Sequence, residues 1–303
     1  MHALFCADPL APRQVDGPFL AEADAARAAG WSVGRVDFEA LVRGAPVAEA
    51  LLGIGAPESP SLAVYRGWML RPAQYQRLAE GLAARGLTLV NTPEAYAHCH
   101  HLPGWYALAE GLTPRSVWTR EVGPGAEAEW MRLLAPFGDA PVLVKDFVKS
   151  RKHEWAEACF IPSASDAAAV SRVARRLLAL QGEDLNEGLV FREFVRFVPL
   201  EAHPRSGMPR VREFRAFVLD GEPLVAVPYW DDVDRADAAP LLAPLAPLLR
   251  QVRSRFFTVD VAQREDGRWL VVELGDGQVS GLPERVDLGA FFTALRGRLA
   301  PGP

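Results

Sequence analysis

The sequence predicts an α/β domain followed by an α+β body. Short apolar strands alternate with amphipathic helices through the first third of the chain, the signature of an open sheet with helices on both faces. Two Asp-Gly dipeptides in the last third, Asp220-Gly221 and Asp266-Gly267, sit between alternating residues and read as tight antiparallel hairpins. Half of the 303 residues are apolar, enough to bury the cores that such a pair of bodies needs.

In the first part, expected at residues 1–115, His2 to Ala7 reads as a strand and Phe19 to Ala29 as an Ala-rich helix stopped by Gly30. Trp31 to Phe38 and Leu62 to Arg66 are further strands. Pro72 to Arg85 has Pro near its start and Gly86 just past its end, as a helix does. Leu87 to Asn91 is a strand, and Thr92-Pro93-Glu94 opens a helix. In the second part, 116–303, Pro141 to Val148 is a strand and Ser165-Asp166 caps a helix that runs to Gly182. Strand regions follow at Gly188–Val198, Val211–Tyr229 and Phe256–Leu274, with a Pro-interrupted helical stretch from Asp237 to Val252.

Charge and cysteine usage narrow the function classes. Thirty-three basic and 38 acidic residues give a net charge of −5, which argues against nucleic acid as a partner. No apolar run approaches the roughly 20 residues of a membrane span. The opening Met-His-Ala-Leu-Phe-Cys-Ala-Asp-Pro lacks the basic and apolar regions of a secretory signal. Cys6, Cys99 and Cys159 are odd in number and far apart, so reduced thiols and a cytoplasmic location are expected.

Counting outward from Asp266-Gly267 as a two-residue turn sets Asp260 opposite Glu273, on the face away from Val259, Val261, Val272 and Leu274. Opposed like charges repel, so one acid is protonated, a basic side chain intervenes, a divalent cation lies between them, or both are splayed into solvent. Lys145 and Lys149 share a strand face, and Ser150-Arg151-Lys152-His153 carries the positive charge onward. That run suits phosphate oxygens, but taken alone it reads better as a solvated basic turn or a local nucleic-acid patch. The first hairpin sends Arg212 and Arg215 to opposite sides, with Arg215 on the polar face. Arg66 ends a strand, where open α/β sheets bind ligands; the plain alternative is a surface arginine.

A basic strand with its loop, a hinge strand, an arginine strand and a two-carboxylate hairpin, in this order, resemble the ATP-grasp superfamily. The ending Val271-Val272-Glu273-Leu274-Gly275-Asp276-Gly277-Gln278-Val279-Ser280-Gly281-Leu282-Pro283 is similar to a clade found in bacteria and phages. The resemblance implies a preceding α/β domain at 1–115 and a two-lobed grasp, with lobes at about 116–198 and 199–303. It implies that Lys145 contacts ATP phosphates, that Lys149 or Lys152 belongs to the covering loop, and that backbone at Glu193 and Val195 meets the adenine edge. Glu201 would hold the ribose, Arg215 would stabilise the transferring phosphoryl group, and Asp260 and Glu273 would bind Mg2+, or Mn2+ in its place. The chain departs from the pattern twice. Gly275 stands where an Asn ligand is usual, with Asp276 beside it as the substitute. His98-Cys99-His100-His101 stands where a lysine is usual. Four adjacent residues make poor zinc spacing, so His100 or His101 reaching a phosphate or substrate is the better reading, with Arg66 and Arg212 as further substrate candidates.

The function implied is an ATP-dependent ligase joining a small-molecule or peptide carboxylate to an amine or other nucleophile through an acyl phosphate. A small-molecule kinase on the same grasp is the alternative. A nucleic-acid repair ligase and a non-catalytic nucleotide-binding module rank lower.

Overall fold

The structure, a computed structural model, describes residues 1–201, 210–230 and 239–300. It divides into two compact units, and neither is one run of chain. One comprises Met1–Cys99, Arg215–Val259 and Gly275–Pro303; the other comprises His100–Phe214 and Asp260–Leu274.

The first unit contains a four-stranded parallel sheet of β1 (His2–Cys6), β2 (Ser32–Val36), β3 (Ser61–Arg66) and β4 (Leu87–Leu89), in the order β2-β1-β3-β4. Strand alternation divides its side chains between two cores. Leu4 and Cys6 pack with Tyr75, Leu78 and Leu82 of the helix Pro72–Ala83. Ala3 and Phe5 pack with Ala23 and Ala26 of the helix Leu20–Ala28 and with Phe291, Phe292 and Leu295 of the helix Leu288–Leu299. That last helix, capped by Asp287, was not expected from the sequence.

The second unit is built on β5 (Ser116–Thr119), β6 (Val142–Asp146), β7 (Phe160–Ile161) and β8 (Leu189–Glu193), antiparallel in the order β5-β8-β6-β7. The helices Glu127–Leu134 and Ala167–Gln181 cover it through Trp130, Val170, Val173 and Leu177. Asp166 caps the second of these, accepting from the Ala169 N–H at 3.0 Å, as the sequence predicts. β9 (Pro199–Leu200) and β10 (Arg210–Val211) form a small ribbon. β11 (Glu213–Leu219), β12 (Glu222–Pro228), β13 (Phe256–Gln263) and β14 (Trp269–Asp276) form a sheet in the order β12-β11-β13-β14. The chain passes between units within β11, β13 and β14. The expected helical stretch starts at Ala239 as short segments broken at its prolines; its first two residues, Asp237 and Ala238, lie outside the described residues. Among the described residues, no helix is long and apolar enough to cross a membrane.

The two hairpins differ. Asp220 and Gly221 both have positive φ, +50° and +78°, the two-residue type I′ turn that the dipeptide predicts. At the other, Gly267 donates to the Arg264 carbonyl (2.9 Å) and Arg264 donates to the Arg268 carbonyl (2.8 Å). Only Gly267 is left-handed there, at φ +89°, so the loop has three residues, Glu265 to Gly267, rather than two. At the far end Gly277 donates to the Phe256 carbonyl (3.1 Å), and Thr258 stands against Gly275. Counting inward from the two ends gives registers one residue apart, so β14 carries a bulge. Its inside–outside alternation holds from Glu273 to Asp276 and breaks between Val271 and Glu273, which places the bulge there. Asp260 on β13 and Glu273 on β14 both lie in the second unit, on neighbouring strands.

Candidate active site

The second unit gathers most of the expected ATP-contacting residues. Lys145, on β6 opposite Val190, points its Nζ at Glu273 Oε1, 3.6 Å away. The Lys145 side chain is 13% exposed and that of Glu273 41%, so the acid is open to solvent and the lysine is not. Burial pulls the Lys145 pKa below its ordinary value, and the charges of Arg192 and Lys152 act in the same sense against those of Glu273 and Asp146. Asp260, on the neighbouring strand β13, is buried.

Arg192 on β8 holds the β14 backbone at Val271 and Val272, where the bulge lies. It donates to the Val272 carbonyl (2.8 Å), the Val271 carbonyl (3.3 Å) and Thr113 Oγ1 (2.7 Å), and burial lowers its pKa to about 10. Asp146 organises the turn that follows Lys145. Its buried carboxylate accepts from the Val148 N–H (2.7 Å), the Lys149 N–H, Gln181 Nε2 (2.7 Å) and Asn186 Nδ2 (2.8 Å). Neither residue was singled out from the sequence, because the partners of both lie far along the chain. Lys149 and Lys152 are exposed, the latter opening a short 3₁₀ turn, Lys152–Glu154.

A cavity of about 300 Å³ opens beside the expected hinge. Glu193, Phe194, Val195 and Arg196 line one side, and Arg264, Glu265 and Asp266 at the β13–β14 turn line the other. The Glu193 N–H donates to the Arg115 carbonyl (2.8 Å), so that group is already used. Glu201 is exposed, and its carbonyl accepts from Arg210 Nε (2.7 Å). Arg212 donates to Gln263 Oε1 (2.9 Å) and lies over the Trp269 ring at 5.8 Å. His100 and His101 are also in this unit. Burial, the His101 ring and the Lys149 and Lys145 cations push the His100 pKa down to about 3.

Three predicted site residues lie in the first unit, and two of them have structural roles there. Arg66 is buried rather than at the surface. It forms a two-pronged pair with Glu22 (2.8 and 3.0 Å) and donates to the Gly277 and Ser280 carbonyls (2.6 and 2.8 Å). Asp276 does not stand open as a metal ligand. Its carboxylate accepts from Asn91 Nδ2 (2.6 Å), the Gln278 N–H (2.9 Å) and Gln278 Nε2 (3.2 Å), with no exposure to solvent. Burial raises its pKa to about 6 against those hydrogen bonds. A side chain at 275 has no room either: its Cβ would stand 2.8 Å from Thr258 Oγ1 and 2.9 Å from Ser280 Oγ, two hydroxyls bonded to each other. Arg215, the third, donates to the Gly281 carbonyl (3.1 Å) with its guanidinium 4.6 Å from the Tyr229 ring centre.

Among the described residues no three or more His, Cys, Asp or Glu side chains cluster as metal ligands. Two carboxylates with hard oxygen donors still fit Mg2+, which takes one or two carboxylates and completes its shell with phosphates and water. Zinc has no comparable donor set here.

Comparison with known proteins agrees with this architecture. Residues 136–295, more than half of the chain, match the model of an ATP-grasp domain family, the third family of its clade. The chain belongs to that ATP-grasp family. Solved ATP-grasp structures share its fold. The RimK domain ATP-grasp protein from Sphaerobacter thermophilus DSM 20745 is 18% identical, with a TM-score of 0.58 over 97% of this chain and 98% of that one. The D-cycloserine synthetase DcsG is 17% identical, with a TM-score of 0.59 over 99% and 100%. The ATP-grasp ligase PsnB, solved with a minimal precursor, is 16% identical, with a TM-score of 0.58 over 98% and 99%. At such identities the likeness speaks for the ATP-grasp fold alone. A search of curated proteins finds no match.

Proposed function

We propose that this ATP-grasp chain is an ATP- and Mg2+-dependent ligase that joins a carboxylate, on a small molecule or a peptide, to an amine or other nucleophile through an acyl phosphate. The observation that carries the reading is the contact between Lys145 and the open Glu273 carboxylate. Here a lysine suited to phosphate oxygens stands beside an acid suited to a hard cation, and the buried Asp260 on the neighbouring strand would supply the second.

Asp260 and Glu273 would hold Mg2+, or Mn2+ in its place. When bound, the ion neutralises charge on the phosphates during phosphoryl transfer. Lys145, released from Glu273, would contact a phosphate oxygen. Lys149 and Lys152, exposed next to that strand, cover the phosphates. The cavity at Phe194 and Val195 receives the adenine, with the Val195 backbone on its edge and Glu201 on the ribose hydroxyls. Arg215 serves by charge as the phosphoryl group transfers to the substrate carboxylate, a role taken from the family resemblance. Residues 1–115 and the loops would read the substrate. The free, buried cysteines Cys6, Cys99 and Cys159 suit a reducing cytoplasm.

The test is a screen of ADP and phosphate release with ATP·Mg against pooled amino acids, peptides and polyamines. The ligase reading expects both products, dependent on a carboxylate and a nucleophile together. ADP with a stable phosphorylated product and no free phosphate would establish the kinase alternative instead.

A further inference from the structure

A buried polar atom in the second unit, His101 Nε2, has no hydrogen-bond partner among the described residues. A buried nitrogen left unsatisfied is costly and calls for a ligand, ion or water. The His101 ring stands edge-on to Phe147 with centroids 6.0 Å apart, and 5.6 Å from the His100 ring. The Leu102 N–H donates to the Phe147 carbonyl at 2.9 Å. That bond ties the histidine segment to the turn that Asp146 builds directly after Lys145; β6 ends at Asp146, so Lys149 lies in this turn and not on the strand face expected for it.

The charges around it are of both signs. The groups facing His101 are Glu187, Arg120 and Asp146, and those facing His100 are Lys145 and Lys149. Both nearby acids are already engaged. Glu187 accepts from Arg120 Nε at 3.1 Å, with that guanidinium 5.4 Å from the Phe147 ring centre, and Asp146 accepts from the turn and from Gln181 and Asn186. Lys149 is exposed and adds a positive charge. Burial holds the His101 pKa below its ordinary value, so the imidazole is neutral near pH 7 and an arriving anion is what would charge it.

We propose that His101 donates a hydrogen bond to a phosphate oxygen of the bound nucleotide, and that its imidazole takes one proton from solvent as the phosphate arrives. This rests on the nucleotide reading above and adds a coupling between nucleotide binding and pH. The phosphate gains a charge-assisted partner, and the buried nitrogen gains its missing bond.

The test is calorimetry of ADP·Mg and of adenosine binding, in two buffers of different ionisation enthalpy, for the parent, His101→Gln and His101→Phe. The parent is expected to bind ADP·Mg with uptake of protons, its affinity falling as pH rises by at most about tenfold per pH unit. His101→Gln keeps a donor near the Nε2 position but cannot titrate; it should bind ADP·Mg without that proton uptake. His101→Phe loses both and should bind ADP·Mg about 10- to 100-fold more weakly. Adenosine, which has no phosphate, should bind all three alike. Proton uptake that persists in His101→Gln overturns the assignment even if His101→Phe does not fold. So does a folded His101→Phe that binds ADP·Mg as the parent does. A parent that binds neither ligand overturns the nucleotide reading itself, and the role of His101 with it.

Discussion

Glu273 and Asp276 stand three residues apart on β14, and their surroundings give them opposite characters. The Glu273 side chain is 41% exposed and has the Lys145 ammonium 3.6 Å away. Asp276 is buried and accepts from Asn91 and Gln278. A metal ligand needs oxygen lone pairs that a cation can reach, and a lysine can yield its place to one. Neutral donors that saturate a buried carboxylate leave no such opening. The regular alternation from Glu273 to Asp276 puts the two on opposite faces of the strand, so proximity in sequence is misleading here.

The largest expected effect falls on the Asp276 side. Arg66→Ala leaves Glu22 buried without its partner and frees the Gly277 and Ser280 carbonyls, for a loss of about 3–5 kcal/mol in urea unfolding. A loss below about 1 kcal/mol would mean that Arg66 is not the strut that its four hydrogen bonds describe.

On the Glu273 side, Asp260→Asn and Glu273→Gln should each weaken Mg2+-dependent ADP binding by about 100-fold or more, since even outer-shell partners of a metal are worth about 10–100-fold.

A smaller effect separates the two acids by pH. The folded-state pKa of Asp276 is raised to about 6 from the ordinary 3.8, so the fold favours the protonated acid. That stabilisation is complete below about pH 4 and is lost as pH rises through about 6. Unfolding measured across this window should show the parent losing up to about 3 kcal/mol relative to Asp276→Asn. A parallel pH dependence in the two proteins would contradict the buried, proton-holding description of Asp276.

Least of all, Gly267→Ala should cost about 1–2 kcal/mol, the penalty of a left-handed alanine, since a Cβ there meets nothing within 4 Å. Mg2+-dependent ADP binding should be unchanged, because the bulge lies beyond the turn.

The strands and the main helices were legible because periodicity and capping are local. The second turn was not. Asp220-Gly221 and Asp266-Gly267 are the same dipeptide, but only the first has positive φ at both residues. A dipeptide fixes where glycine is needed and not how many residues close the loop. The bulge in β14 is held by Arg192, whose partners Thr113 and Val271 are 79 residues away in sequence. Long-range pairing also hid Arg66, whose carbonyl partner Gly277 lies 211 residues on, and Asp276, whose partner Asn91 lies 185 residues back. For Arg66 and Asp276 the residue type was right for a site and the neighbourhood was not.

The central claim is that Glu273, and not Asp276, receives the metal that accompanies the nucleotide. ADP titrations with and without Mg2+, on the parent, Glu273→Gln and Asp276→Asn, test it most directly. The prediction is that Mg2+ strengthens ADP binding in the parent and in Asp276→Asn but has no effect in Glu273→Gln. Retention of the full Mg2+ effect in Glu273→Gln, or its loss in a folded Asp276→Asn, would contradict the account.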